Sequence, residues 1–135
     1  MVYVDSNVFI YPIIYDERSV EEAKRSRALL LKIASGSAEA STATITWDEL
    51  VWVVWRILGE EEARKRGRLF LEFPNLRLLA VKRSTILNAQ RLMDEYGLKP
   101  RDAIHAAAAL ENRIDTIVSY DKDFDEVREL KRVEP

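Results

Sequence analysis

The chain has 135 residues, a formal net charge of -2, 33% charged residues and no cysteine. That length suits one domain burying about two-thirds of its unfolded surface, and the lack of cysteine excludes disulfides and thiolate metal sites. A near-neutral balance offers no global field for a polyanion, so a nucleic-acid partner would need a local basic surface. No apolar run approaches the roughly 20 residues of a membrane span, and no basic leader precedes the first strand, which reads as a cytoplasmic protein without a membrane segment. The high charge content, with Gln90 the sole glutamine, leans towards a thermophile composition.

Met1 to Asp5 opens the chain as an apolar, β-branched and aromatic run of the kind buried on both faces of a parallel sheet. Ser6 and Asn7 are turn and N-cap types, so the strand is expected to stop at Asp5 with a helix just after it. Val8 to Tyr15 is apolar and interrupted by Pro12. Ser19-Val20-Glu21-Glu22 has capping-box spacing and predicts a helix carrying Ala23, Leu30, Leu31 and Ile33 to Gly36, with Lys24, Arg25, Arg27 and Lys32 along it. The Thr-rich run from Ala38 to Ile45 predicts a second strand.

Thr46-Trp47-Asp48-Glu49 has the same capping-box spacing and starts a predicted helix to Leu58. Its body, Leu50 through Trp55, is apolar on every side, a pattern of full burial, with one face available to another chain. A basic helix is expected from Glu60 to Phe73, ended by Pro74, then a strand from Leu76 to Val81. Ser84 to Tyr96 has a helical apolar period stopped by Gly97. Lys99-Pro100-Arg101-Asp102 opens a helix over Ala103 to Asn112. Thr116 to Asp121 repeats the opening pattern, an apolar strand running out into an acid, and Leu130 to Val133 closes the chain. Alternating strands and helices imply a three-layer α/β/α fold on a central parallel sheet of about four to five strands.

Four acids stand out by position. Asp5 and Asp121 each end an apolar strand, so in a parallel sheet they share one edge, where open α/β sheets bind ligands. Glu49 and Asp102 fall in first turns of helices that start from that edge. Clustered oxygen ligands without cysteine select a hard cation, Mg²⁺ or Mn²⁺. Each acid also has a structural explanation. Glu49 reads on local grounds first as the fourth member of a capping box; Asp102 suits a helix macrodipole; Asp121 suits an Asx turn and Asp5 an N-cap. His105, one turn after Asp102, reads first as a satisfied core histidine and second as a support for Asp102. The tryptophans Trp47, Trp52 and Trp55 at helical spacing fit a core or interface better than a base-stacking platform.

Taken together, Tyr3-Val4-Asp5-Ser6-Asn7, Glu49-Leu50, Arg101-Asp102-Ala103-Ile104-His105-Ala106-Ala107 and Val118-Ser119-Tyr120-Asp121-Lys122-Asp123-Phe124 resemble, in order and spacing across the whole chain, the PIN-domain nucleases, in particular the small VapC-type toxins of prokaryotic toxin-antitoxin pairs. The resemblance places the family's acidic quartet on Asp5, Glu49, Asp102 and Asp121, with Asp123 as a fifth acid and Ser6, Asn7 and Ser119 as supporting polar residues. It implies a Mg²⁺- or Mn²⁺-dependent endoribonuclease, usually a homodimer inhibited by a cognate antitoxin. In such a site one or two cations would neutralise charge on the phosphoryl group and acidify a water, with Arg101, Lys122 or Lys24 holding flanking phosphates. Two other functions compete. A haloacid-dehalogenase-like phosphatase would want a second aspartate where Asn7 stands, and a non-catalytic interaction module would use the acids only as caps.

Overall fold

The computed structural model describes residues 1–135. Five parallel strands, β1 (Val2–Val4), β2 (Ala40–Ala43), β3 (Leu76–Leu79), β4 (Thr116–Val118) and β5 (Lys131–Val133), form one sheet in the order β3-β2-β1-β4-β5. Six helices flank it: α1 (Ser6–Ile14), α2 (Glu21–Ala34), α3 (Ile45–Leu58), α4 (Glu60–Leu71), α5 (Arg83–Tyr96) and α6 (Pro100–Glu111). A 3₁₀ turn over Lys122–Glu126 follows β4.

Period-two alternation on the strands sorts the two faces. Tyr3, Ala43, Leu79 and Ile117 point into a core shared with Ala89 and Leu92 of α5 and the alanine run Ala106–Ala109 of α6. Val2, Val4, Ala40 and Val118 point the other way, into a core with Val8, Phe9, Ile33, Leu50, Val54 and Phe70 from α1 to α4. The expected α/β/α layering is therefore present, with helices on both sides explaining why the strands are apolar throughout. None of the helices is long and apolar enough to cross a membrane.

Strand order reverses beside β1, whose successors β2 and β3 lie on one side and β4 and β5 on the other. Such a switch point opens a crevice at the carboxyl ends of the flanking strands. Val4 pairs with Val118 in register, so the residues that follow, Asp5 and Ser119, emerge side by side into that crevice.

Several local expectations are revised. The Ser19 capping box does not form: Val20 occupies the N-cap without a side-chain bond, and Ser19 belongs instead to a turn whose amide donates to the Asp16 carbonyl. Nor does Thr46 cap α3, which starts one residue earlier at Ile45; the Thr46 hydroxyl pairs with that of Thr42 at 2.7 Å. Pro12 lies inside α1 rather than ending it. Gly97 stops α5 in the left-handed region at φ 70°, as expected.

Full burial of α3 is also overturned. Only Thr46, Leu50 and Val54 of that helix are buried, whereas Trp47, Trp52 and Trp55 are 41%, 51% and 42% exposed. One stripe meets the core, and α4 packs along another. That packing is close because Gly67 has no side chain: a Cβ there would lie 3.0 Å from Val51 and 3.1 Å from the Trp47 ring nitrogen.

Candidate active site

Each expected acid arrives at the crevice by a different local route. Asp5 follows β1 and caps α1, its Oδ1 accepting from the Ser6 amide at 2.8 Å. It is 3% exposed, and an anion so buried needs donors. Ser119 supplies a second, its hydroxyl donating to Asp5 Oδ2 at 2.7 Å, and the same Ser119 oxygen accepts from the Asp121 amide at 2.9 Å. Asp121 in turn caps the 3₁₀ turn, accepting from the Asp123 amide at 2.9 Å. The cap and turn roles foreseen for Asp5 and Asp121 are thus real, and Ser119 ties the two together.

Glu49 answers differently. Its carboxylate does not reach back to a Thr46 cap; it accepts from the Ser6 hydroxyl at 3.0 Å and lies 2.5 Å from His105 Nε2. The other ring nitrogen, Nδ1, lies 2.6 Å from the Tyr3 hydroxyl, which accepts from the Ala43 amide at 3.0 Å. In the Nε2–H tautomer the sequence Ala43 amide, Tyr3 hydroxyl, His105, Glu49 has every donor matched to an acceptor. His105 is satisfied and fully buried, as a core histidine should be, but its hydrogen bonds go to Tyr3 and Glu49 rather than to Asp102.

Asp102 enters from the first turn of α6. Carboxylate oxygens of Asp102, Asp121 and Asp123 all lie within 4.8 Å of one another. A cleft of about 580 Å³ opens over them, lined by Glu49, Lys99, Pro100, Arg101, Asp102 and Asp121. The lining carries three acids and two cations. Among the expected cations only Arg101 lines this cleft, joined by Lys99; Lys24 is exposed on α2 and Lys122 begins the 3₁₀ turn. Ser6 and Ser119 bond the acids directly, while Asn7 is half-buried at the start of α1.

The charges bear on one another. Burial pushes the Asp102 carboxyl up, and the neighbouring Asp121 and Asp5 charges push it further, to about 7. Asp5 is also raised, by burial first, although the His105 charge and the Ser119 hydrogen bond oppose it. Burial acts to raise Glu49 as well, but the His105 hydrogen bond and charge, Ser6 and Arg101 outweigh it and leave the carboxyl below its ordinary value. For His105, burial disfavours the imidazolium, yet Glu49, Asp5 and Asp102 favour it more, so its pKa lies above the usual.

The family profile of the PIN domain matches residues 2–130. The chain belongs to the PIN domain family. Solved structures share the fold over nearly its whole length. A VapC20 toxin from Mycobacterium tuberculosis, described as cleaving the sarcin-ricin loop, superposes with a TM-score of 0.76 at 16% identity, covering 100% of both chains. VapBC2 from Rickettsia felis, solved on a promoter DNA fragment, gives 0.72 at 18% identity over 99% of this chain and 98% of that one. A toxin-antitoxin complex from Klebsiella pneumoniae gives 0.66 at 20% identity, covering 100% of both. No curated relative matches in sequence.

Within this PIN domain, one site residue escaped the sequence: Lys99 reads there only as part of a helix opening. His105 stands out there, but with Asp102 as the acid it would support; its bond to Glu49 spans 56 positions, and no local pattern announces it.

The raised Asp102 pKa makes a pH-dependent expectation. A carboxyl raised on folding, from 3.8 to about 7, contributes stability that is complete below the lower value and lost as pH rises through the higher one. In EDTA, Asp102→Asn is therefore expected to melt above the parent at pH 8, with the gap narrowing steadily towards pH 4. Melting curves across that range check it; a gap independent of pH would show that Asp102 carries no raised pKa.

Proposed function

We propose that this PIN domain is a Mg²⁺- or Mn²⁺-dependent endoribonuclease acting as the toxin of a toxin-antitoxin pair. The observation that carries the reading is the meeting of Asp102, Asp121 and Asp123 within 4.8 Å beside a cleft that Lys99 and Arg101 also line. The donor set fits the group: all-oxygen, anionic ligands with no sulfur suit a hard cation. A carboxyl pushed up by burial and then by its acidic neighbours is consistent with a site built for a positive charge. Those three acids would hold the cation, with the Asp5 charge acting on Asp102.

Once bound, the cation would stabilise charge on the phosphoryl oxygens and lower the pKa of a water. The chain's own residues do the rest. Lys99 and Arg101 hold phosphates flanking the scissile bond, fixing the strand over the acids. Glu49, kept ionised and lining the cleft, accepts a hydrogen bond from the attacking water and so orients it. Ser6, Ser119 and His105 keep Asp5 and Glu49 in place.

Two surfaces support the partner assignments. An apolar groove of about 360 Å³ between α1, α2 and α4, with Phe9, Ile13, Leu30 and Phe73 flanked by Arg27 and Arg66, suits an apolar antitoxin segment bearing acids. The exposed indoles of α3, with Ile57 and Leu58 56% and 46% exposed, suit a second copy in a homodimer.

Incubation of the purified chain with total RNA tests the activity. Cleavage at discrete sites is expected with Mn²⁺ and none with EDTA. Glu49→Gln gives up the charge that His105 and Ser6 hold, so it should melt below the parent at pH 7 yet remain folded, while losing activity on the order of 100-fold. Parent-like cleavage by that variant would remove Glu49 from the reaction. Light scattering tests the assembly: the parent should be a dimer at micromolar concentration, and Trp52→Glu should shift it to monomer. A parent that is monomeric throughout rules out self-association through α3.

A further inference from the structure

Three arginines are half-buried, and one of them differs from the other two. Arg66 and Arg132 pair with Glu62 and Asp125, each at 2.9 Å. Arg25, on α2, makes no ion pair, and its Nε is the only buried side-chain nitrogen or oxygen in the molecule without a hydrogen-bond partner. Buried polar groups are nearly always satisfied, so this one asks for an explanation. What holds the guanidinium is an aromatic face: its central carbon lies 5.4 Å from the centroid of the Tyr120 ring. A cation–π contact fixes the charge in place and leaves the N–H donors unused.

Tyr120 is itself anchored. Its hydroxyl donates to the Glu22 carbonyl at 2.8 Å, so at 3.0 Å from the buried Ser26 hydroxyl it acts as acceptor. The ring stacks on Tyr11, with centroids 5.5 Å apart and planes 7° from parallel, and Tyr11 meets Tyr15 edge-on at 5.3 Å. The result is a row, Arg25, Tyr120, Tyr11, Tyr15, that starts at the chain neighbour of Asp121 and ends on a ring 46% exposed. Tyr11 lies close enough to the acids that the Asp5 charge adds to burial and Tyr15 in raising its hydroxyl pKa. Phe9, Pro12 and Ile13, which line the apolar groove, occupy a different face of α1 from Tyr11 and Tyr15, so the row and the groove are separate surfaces. At the Tyr120 hydroxyl, burial raises the pKa first, the Ser26 bond and the Arg25 charge oppose it, and the Glu22 and Glu134 charges add to it; neither acid pairs with Arg25.

We propose that this row is a subsite for the RNA strand beyond the scissile bond, in which Arg25 holds a backbone phosphate and Tyr15 stacks an unpaired base. The proposal rests on the nuclease reading above, and it concerns where the strand runs rather than how it is cut. Unpaired RNA is gripped by phosphate contacts and by stacking on aromatic rings, which is the chemistry the row offers. The guanidinium fork matches phosphate oxygens, and its seat on an anchored ring means that little side-chain freedom is lost when it takes one. Continuity with the acids favours a nucleic-acid strand over an acidic peptide. Tyr120 and Asp121 are consecutive, about 3.8 Å apart at Cα, so a strand lying over Asp121 is already beside the row.

Fluorescence anisotropy with a labelled single-stranded RNA oligonucleotide, in EDTA and over a range of salt concentrations, reads the subsite without cleavage. Arg25→Gln is expected to weaken binding and to flatten the slope of log affinity against log salt by about 0.7, the share of one phosphate contact on a single strand. Arg25→Lys, which keeps the charge, should restore the slope. Tyr15→Ser, at an exposed position, should weaken binding roughly tenfold with the slope unchanged. With Mn²⁺ present, Arg25→Gln should raise KM for RNA more than it lowers kcat. A parent-like salt slope in Arg25→Gln would overturn the phosphate contact, even in a variant that melts lower, because a purely structural cation–π contact moves the melting temperature and not the slope. Parent-like affinity in Tyr15→Ser would overturn the stacking contact. A parent that cleaves RNA while both variants bind as it does sinks this subsite alone, whereas a parent that cleaves no RNA with Mn²⁺ sinks the nuclease reading itself.

Discussion

A carboxylate buried at the end of the central strand is the constraint around which the rest is arranged. Asp5 sits where β1 gives out, almost wholly shielded from water, and an unpaired anion there would cost several kcal/mol. The fold meets that cost with the nearest available donors: the first amide of α1 and the Ser119 hydroxyl from the adjacent strand end. Each donor is there because of topology. β1 and β4 are parallel neighbours in register, so Ser119 must lie beside Asp5; α1 begins immediately, so its amide points back at the strand end.

From Asp5 the order spreads outward. Ser119 holds Asp5 with its proton and the Asp121 amide with its lone pair, which fixes the turn carrying Asp121 and Asp123. Ser6 reaches Glu49, which joins α3 to the same point, and His105 links α6, α3 and β1 through Glu49 and Tyr3. The strands and helices that form the hydrophobic cores therefore also deliver, at one edge, a set of anions whose mutual repulsion is relieved on one side by hydrogen bonds and left unrelieved on the other. The unrelieved side is the one open to the cleft, which Lys99 and Arg101 also line.

Much of this is legible in the sequence because it rests on local patterns. An apolar run ending in an acid, twice, yields two strand ends on a common edge, and Gly97 ends its helix where the pattern says. The capping boxes at Ser19 and Thr46 mislead because spacing alone does not say which residue starts a helix: Thr44 takes the cap position of α3, and Thr46 is drawn instead to Thr42 across the β2–α3 corner. The error has a consequence, since it hides Glu49 behind a capping role it does not have. Full apolarity of α3 suggests burial, but a three-layer domain offers a helix only one core face and one neighbour, so its indoles stay exposed. His105 is the least legible residue, because its partners come from β1 and α3, far along the chain.

The central claim is that the open acids hold a hard cation and that RNA cleavage depends on it. The most direct test compares the parent with Asp121→Asn in thermal melts with EDTA and with Mn²⁺, beside one RNA cleavage assay. Mn²⁺ should raise the parent's melting temperature by mass action, barely move the variant's, and support cleavage only in the parent. An equal Mn²⁺ shift in both proteins, or parent-like cleavage by the variant, would contradict the account.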